Sequence, residues 1–170
     1  MSPMSVRHTN AGPAHAAYRI DVKELVGSGD RIGLFTLPFL VVGIALNVAR
    51  PAWFTVGGPA PALRVVSTAV LAVGLVAWSW SVALILIHVP RGRLITTGPY
   101  RVVKHPLYTS VALLVLPWLG FLMDTWLGVA FGIVLFVASR LFAPNEETAL
   151  AARFRGAWDR YAAGVWLPWL

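Results

Sequence analysis

The chain has 170 residues, 58% of them hydrophobic and only 12% charged, and a mean hydropathy of +0.71. A soluble domain of this length would expose too much apolar surface, so the composition points to membrane insertion. The absence of cysteine excludes disulfides, thiolate metal sites and cysteine nucleophiles together, and the formal charge of +7 sits beside apolar segments, where orientation in a membrane accounts for it without a nucleic-acid partner.

Residues 1–30 read as an N-terminal tail, polar and mobile from Met1 to about Ala17, with Arg7, His8 and His15 in solvent and no signal-peptide pattern. Within it, "YRIDVKELV" suits a short interfacial helix broken by Gly27 and Gly29. Residues 31–170 form one domain. Four apolar segments follow, from about Ile32 to Ala49, Leu63 to Val89, Pro106 to Met123, and Thr125 to Ala143, the last stopped by Pro144. Each is near the length of a bilayer core and none contains an acid. The expected fold is therefore all-α and polytopic, with about four transmembrane helices. The third and fourth should form a tight hairpin, with Asp124 as N-cap of the fourth.

After Pro144, Asn145 should cap an amphipathic C-terminal helix whose first turn carries Glu146 and Glu147. Its apolar face is Leu150, Phe154, Ala157, Trp158 and Tyr161. Lys and Arg cluster before the first span, between the second and third, and from Arg140 onward; the other two loops hold only Arg50 and Arg64. An even number of spans puts both termini and the second-to-third connection on the cytoplasmic side.

That connection contains "TTGPYRVVKHPLY", Thr96 to Tyr108, a polar and aromatic cluster between two apolar segments. With the preceding "LI", an apolar hairpin, and then "EETALAARFRGAWDRY", it resembles the isoprenylcysteine carboxyl methyltransferase family, whose wider relatives include small phospholipid methyltransferases. The family pattern is roughly L-(V/I)-T-x-G-x-Y-x-x-x-R-H-P-x-Y, a hairpin, then E-E-x-x-L-x-x-x-F-G-x-x-Y-x-x-Y. The likeness covers about Arg93 to Tyr161. It departs at Lys104, where the family has arginine, at Arg155, where it has glycine, and at Trp158, where it has tyrosine. Phe142 stands at the family's substrate arginine, with Arg140 two residues earlier.

The resemblance implies an integral membrane methyltransferase using S-adenosylmethionine, with a cofactor region at about 91–161. By position, cofactor contacts fall at Leu94, Ile95, Tyr100, His105, Pro106, Leu107, Tyr108 and Glu146. A helix starting at Pro106 would offer N–H groups to the cofactor carboxylate, with His105 beside it, while Glu146 would meet its ammonium and the tyrosines its adenine or sulfonium. The implied acceptor is lipophilic, an isoprenylcysteine-type carboxylate or similar, entering from the bilayer. No metal is implied. His88 and Arg140 are the candidates for catalysis or substrate contact.

Plainer readings stand beside these. Glu147 reads as a dipole-matching acid, Arg101 and Lys104 as orientation signals, and Trp78, Trp80, Trp118, Trp126, Trp166 and Trp169 as belt or lipid-facing residues. Phospholipid N-methyl transfer, a nicotinamide-dependent sterol-type reductase and a non-catalytic membrane protein remain as alternatives.

Overall fold

A computed structural model describes residues 29–58 and 60–168. The interfacial helix expected in the tail, His8, His15 and Trp169 lie outside the described residues. The element order is α1 (Gly29–Ala49), α2 (Pro61–His88), the one-turn α3 (Pro99–Val102), α4 (Pro106–Leu122), α5 (Leu127–Phe154) and α6 (Gly156–Gly164). Short 3-10 turns follow α1 and α2, and Val111–Val115 within α4 is π-helical. Proline opens α2, α3 and α4, where a missing N–H breaks no helical bond.

Among the described residues, three helices, α1, α2 and α5, are long and apolar enough to cross a membrane. The segment expected as a further span is the shorter α4. At about 1.5 Å per residue it rises about 25 Å, less than a bilayer core of about 30 Å. It is bounded by the polar His105 at one end and the Met123–Thr125 turn at the other. Large side chains such as Leu34, Val65 and Ile133 face outward, as contact with lipid requires.

The interior is built from small residues. Ser67, Gly74 and Ser81 are buried at intervals of seven along α2, a heptad seam against α4. A Cβ on Gly74 would lie 2.7 Å from that of Leu114. Where α4 meets α5, a Cβ on Gly120 would lie 2.8 Å from the Cα of Gly128, and one on Gly132 would run into the Ala112 carbonyl. Such approach substitutes backbone packing for the hydrophobic drive that lipid cannot supply.

Two expected helix boundaries are corrected. Asp124 does not cap α5. It has a positive φ of 55° and accepts hydrogen bonds from the Thr55 hydroxyl and the Gly58 N–H, both at 2.7 Å. The Trp126 N–H donates to the Phe54 carbonyl at 3.0 Å, its indole N–H to that of Trp53, and its ring stacks on Phe54. Trp126 therefore clasps the α1–α2 loop to the α4–α5 turn as well as facing outward. The donors of that loop capture the carboxylate, and Thr125 accepts from Leu127 N–H at 3.3 Å instead.

Nor does α5 stop at Pro144, and Asn145 caps nothing, because the helix continues to Phe154. Proline removes one ladder bond, but Ala138, Ser139 and Ala143 on the same helix are buried, and their packing holds the helical course. The break comes at Arg155, with φ 47° and ψ −128°, and α6 starts there.

Candidate functional site

The α2–α4 connection is shaped by its glycines. Gly98 has a φ of 61°, and a Cβ there would lie 3.0 Å from the Trp80 ring, so conformation and space both require glycine. The turn starts α3, which carries Tyr100, and then delivers Lys104 and His105 to the start of α4. The end of the chain returns to this segment. Leu167 N–H donates to the Val102 carbonyl at 2.9 Å, Val103 and Leu167 form a parallel bridge, and Val103 and Val165 are buried.

Because α5 runs past Pro144, its last turns reach the same place. The Lys104 ammonium donates to Glu147 Oε2 at 2.8 Å, and His105 Nε2–H donates to Glu147 Oε1 at 3.1 Å. The side chains are half-buried or better, at 16% exposure for Lys104, 11% for His105 and 27% for Glu147. One carboxylate thus grips two successive residues of the loop. When the His105 ring is neutral, this bond keeps the proton on Nε2 and leaves Nδ1 with a lone pair.

Beside this clamp lies a cleft of about 840 Å³, counting the solvent at its mouth. Its apolar wall includes Ile85, Leu94, Ile95, Leu150 and Phe154; its polar groups include Tyr100, His105 and Glu146. The Tyr161 hydroxyl donates to the Tyr100 carbonyl at 2.9 Å, and its ring packs on buried Trp158, 5.5 Å between centroids. Burial, and next the Glu146 carboxylate, push the Tyr100 phenol well above its ordinary range. Burial, and then Glu147, do the same to Tyr161. Both phenols are neutral at physiological pH.

This arrangement brings together Leu94, Ile95, Tyr100, His105 and Glu146, on elements about 40 residues or more apart at the extremes. Pro106, Leu107 and Tyr108 do not line the cleft; they form the first turn of α4 behind His105. His88 does not line it either, and its Nδ1 lies 3.0 Å from the Leu84 carbonyl. Arg140 is exposed on α5, outside the lining.

Two readings of charge are corrected. Glu147 is no first-turn acid, because its helix started twenty residues earlier, at Leu127. Lys104 is an ion-pair partner as well as a flanking cation. Sequence reasoning missed the chain end, whose only local sign is buried Val165 alternating with Leu167.

Residues 61–152 match the family described as the isoprenylcysteine carboxyl methyltransferase (ICMT) family, a range that spans α2, the loop motif and both glutamates. The chain belongs to the ICMT family. No curated protein and no solved structure matches it. As an ICMT family member it is a membrane methyltransferase, and its apolar helices agree with that setting. The family range stops short of Arg155. That residue, outside the matched range, holds a positive φ, a conformation that glycine adopts at least cost.

Proposed function

We propose that the chain transfers a methyl group from S-adenosylmethionine to a lipophilic acceptor, an isoprenylcysteine-type carboxylate or one like it. The observation that carries this reading is a single cleft lined by both His105 and Glu146 together with apolar side chains. The donor set suits this cofactor, which is amphoteric at its amino-acid end and aromatic at the other. Glu146 offers a carboxylate for an ammonium, Tyr100 an aromatic face, and Leu94, Ile95 and Phe154 an apolar bed for a base. With its Nε2–H held by Glu147, a neutral His105 would turn the Nδ1 lone pair to the cofactor's ammonium beside Glu146, and its first-turn neighbours on α4 lie outside the lining.

Bound there, S-adenosylmethionine would supply an electrophilic methyl on a sulfonium. The remaining work belongs to the chain. An acceptor carboxylate is anionic at neutral pH, so no side chain has to remove a proton. That fits a cleft which His88 does not line. In-line displacement needs alignment and dry surroundings. The Glu147 clamp fixes the loop that carries Tyr100 and His105, and the Tyr161–Tyr100 bond closes the wall behind them. Ile85 and Val89, at the end of α2, give an acceptor's hydrocarbon chain an apolar approach from the bilayer. With the basic segments toward the cytoplasm, the soluble cofactor enters from that side.

The test is calorimetric titration of S-adenosylmethionine into the detergent-purified protein beside His105→Ala and Glu146→Ala. Binding in the wild type and marked weakening in both variants is the expected result. Equal affinity in all three, with folding intact, would falsify the assignment. Transfer of labelled methyl to an S-prenylated cysteine with a free carboxylate, and not to its methyl ester, then tests the acceptor.

A further inference from the structure

On the far side of Tyr161 from the cleft is a second hollow, of about 680 Å³ counting the solvent at its mouth. Thr96, Thr97 and Gly98 line one side with Arg101; Arg160 and Tyr161 of α6 line another. Among the described residues, none that lines it is acidic. The two guanidinium groups come from elements about 60 residues apart, and among the described residues neither forms an ion pair with a carboxylate. Two guanidinium groups on a lining without a described carboxylate give the hollow a positive potential that favours an anion.

We propose that this hollow binds a phosphate group, with Arg101 and Arg160 as its charged partners and Thr96 and Thr97 as hydroxyl donors. The planar forks of two guanidinium groups and two short hydroxyls match a tetrahedral oxyanion better than they match a single carboxylate. Its surroundings place the phosphate on a lipid headgroup. Trp166, 67% exposed, lies under the Arg101 guanidinium at 5.8 Å, and Trp80, 54% exposed, packs on Gly98. Exposed indoles beside cations are the side chains that settle at headgroup depth, and anionic lipids concentrate at the basic face of a membrane protein. Free phosphate offers the same chemistry without the acyl chains.

The experiment is native mass spectrometry of the full chain in detergent with equal phosphatidylglycerol and phosphatidylcholine, plus thermal unfolding with and without inorganic phosphate. Arg101→Gln/Arg160→Gln removes the hollow's charge, and Arg50→Gln/Arg64→Gln removes two cations elsewhere. Arg160→Gln alone serves if the first double variant does not fold. The wild type and the Arg50/Arg64 control should retain phosphatidylglycerol over phosphatidylcholine by about tenfold, and the Arg101/Arg160 variant should not. A phosphate-dependent rise in Tm that the same variant loses, without lipid preference, supports the hollow with soluble phosphate as its source. The proposal is overturned if the folded variant behaves as wild type, if the control loses as much, or if wild type shows neither response. None of these readouts involves methyl transfer, so they stand or fall apart from the proposed function.

Discussion

Replacing Arg155 with glycine should stabilise the protein. Arg155 holds φ 47° and ψ −128°, a region in which a Cβ crowds the backbone. Such a conformation costs a non-glycine residue about 1–3 kcal/mol. Glycine loses more chain entropy on folding, which takes back about 0.5–1 kcal/mol. The bonds at this position are backbone bonds that glycine keeps. The Arg155 N–H donates to Ala151, and its carbonyl accepts from Trp158 and Asp159. The side chain is exposed and forms no ion pair with a carboxylate among the described residues. The net gain should be about 1 kcal/mol, which for a chain of this size raises Tm by about 2–4 °C. Thermal unfolding of Arg155→Gly beside Arg155→Ala in one detergent measures it. Alanine removes the same charge but keeps the Cβ, so it should give no comparable rise. Equal stabilisation by both would refute the backbone argument and make side-chain charge the cause.

Glu147→Gln should lower stability by about 1.5–3 kcal/mol, the range for hydrogen bonds to a charged group. It should also raise the Kd for S-adenosylmethionine several-fold, by loosening the loop that carries Tyr100 and His105; additive losses in a Lys104→Gln/Glu147→Gln cycle would show that the pair is uncoupled. Gly120→Ala should cost about 1–3 kcal/mol despite its better helix propensity, because the new Cβ meets backbone of Gly128 and Thr125 at 2.8 Å. Gly33→Ala, with nothing within 4 Å, should instead gain up to about 1 kcal/mol, and melting curves of the two decide the sign in each case. For Asp124, the Thr55 hydroxyl, and next the Gly58 N–H, hold the carboxyl below its ordinary value. Its folded pKa is the lower one, so its contribution is complete above the unfolded value of about 4 and fades as pH falls through the folded value. Asp124→Asn, which tolerates the same positive φ, should remove that part of the acid dependence of Tm; an unchanged slope would exclude it.

The long apolar runs and the loop motif were legible because each is local: composition marks a span, and glycine, proline and histidine at fixed offsets mark the turn before α4. What could not be read depends on helix phase and on distant partners. Glu146 and Glu147 are adjacent, so about 100° of helical rotation decides which of them meets the loop. That phase is set by whether α5 continues through Pro144, and buried Ala138 and Ala143 decide the matter in three dimensions. Asp124 carries the residue type of a cap, and only the donors of Thr55 and Gly58, more than 60 residues away, redirect it. The hollow behind Tyr161 was equally hidden, since Arg101 and Arg160 look like ordinary flanking cations until α6 folds over α3.

The unbroken course of α5 makes it a lever. From Leu127 to Glu147 it is about 30 Å long, with Glu146 lining the cleft and Glu147 holding the loop beside it. A change of 5° in its inclination would carry those carboxylates by about 2.6 Å, nearly a hydrogen-bond length, relative to a loop anchored on α2 and α4. Packing of α5 on α1 and α4 sets that inclination, so a shift in this packing would be passed to the loop through Glu147.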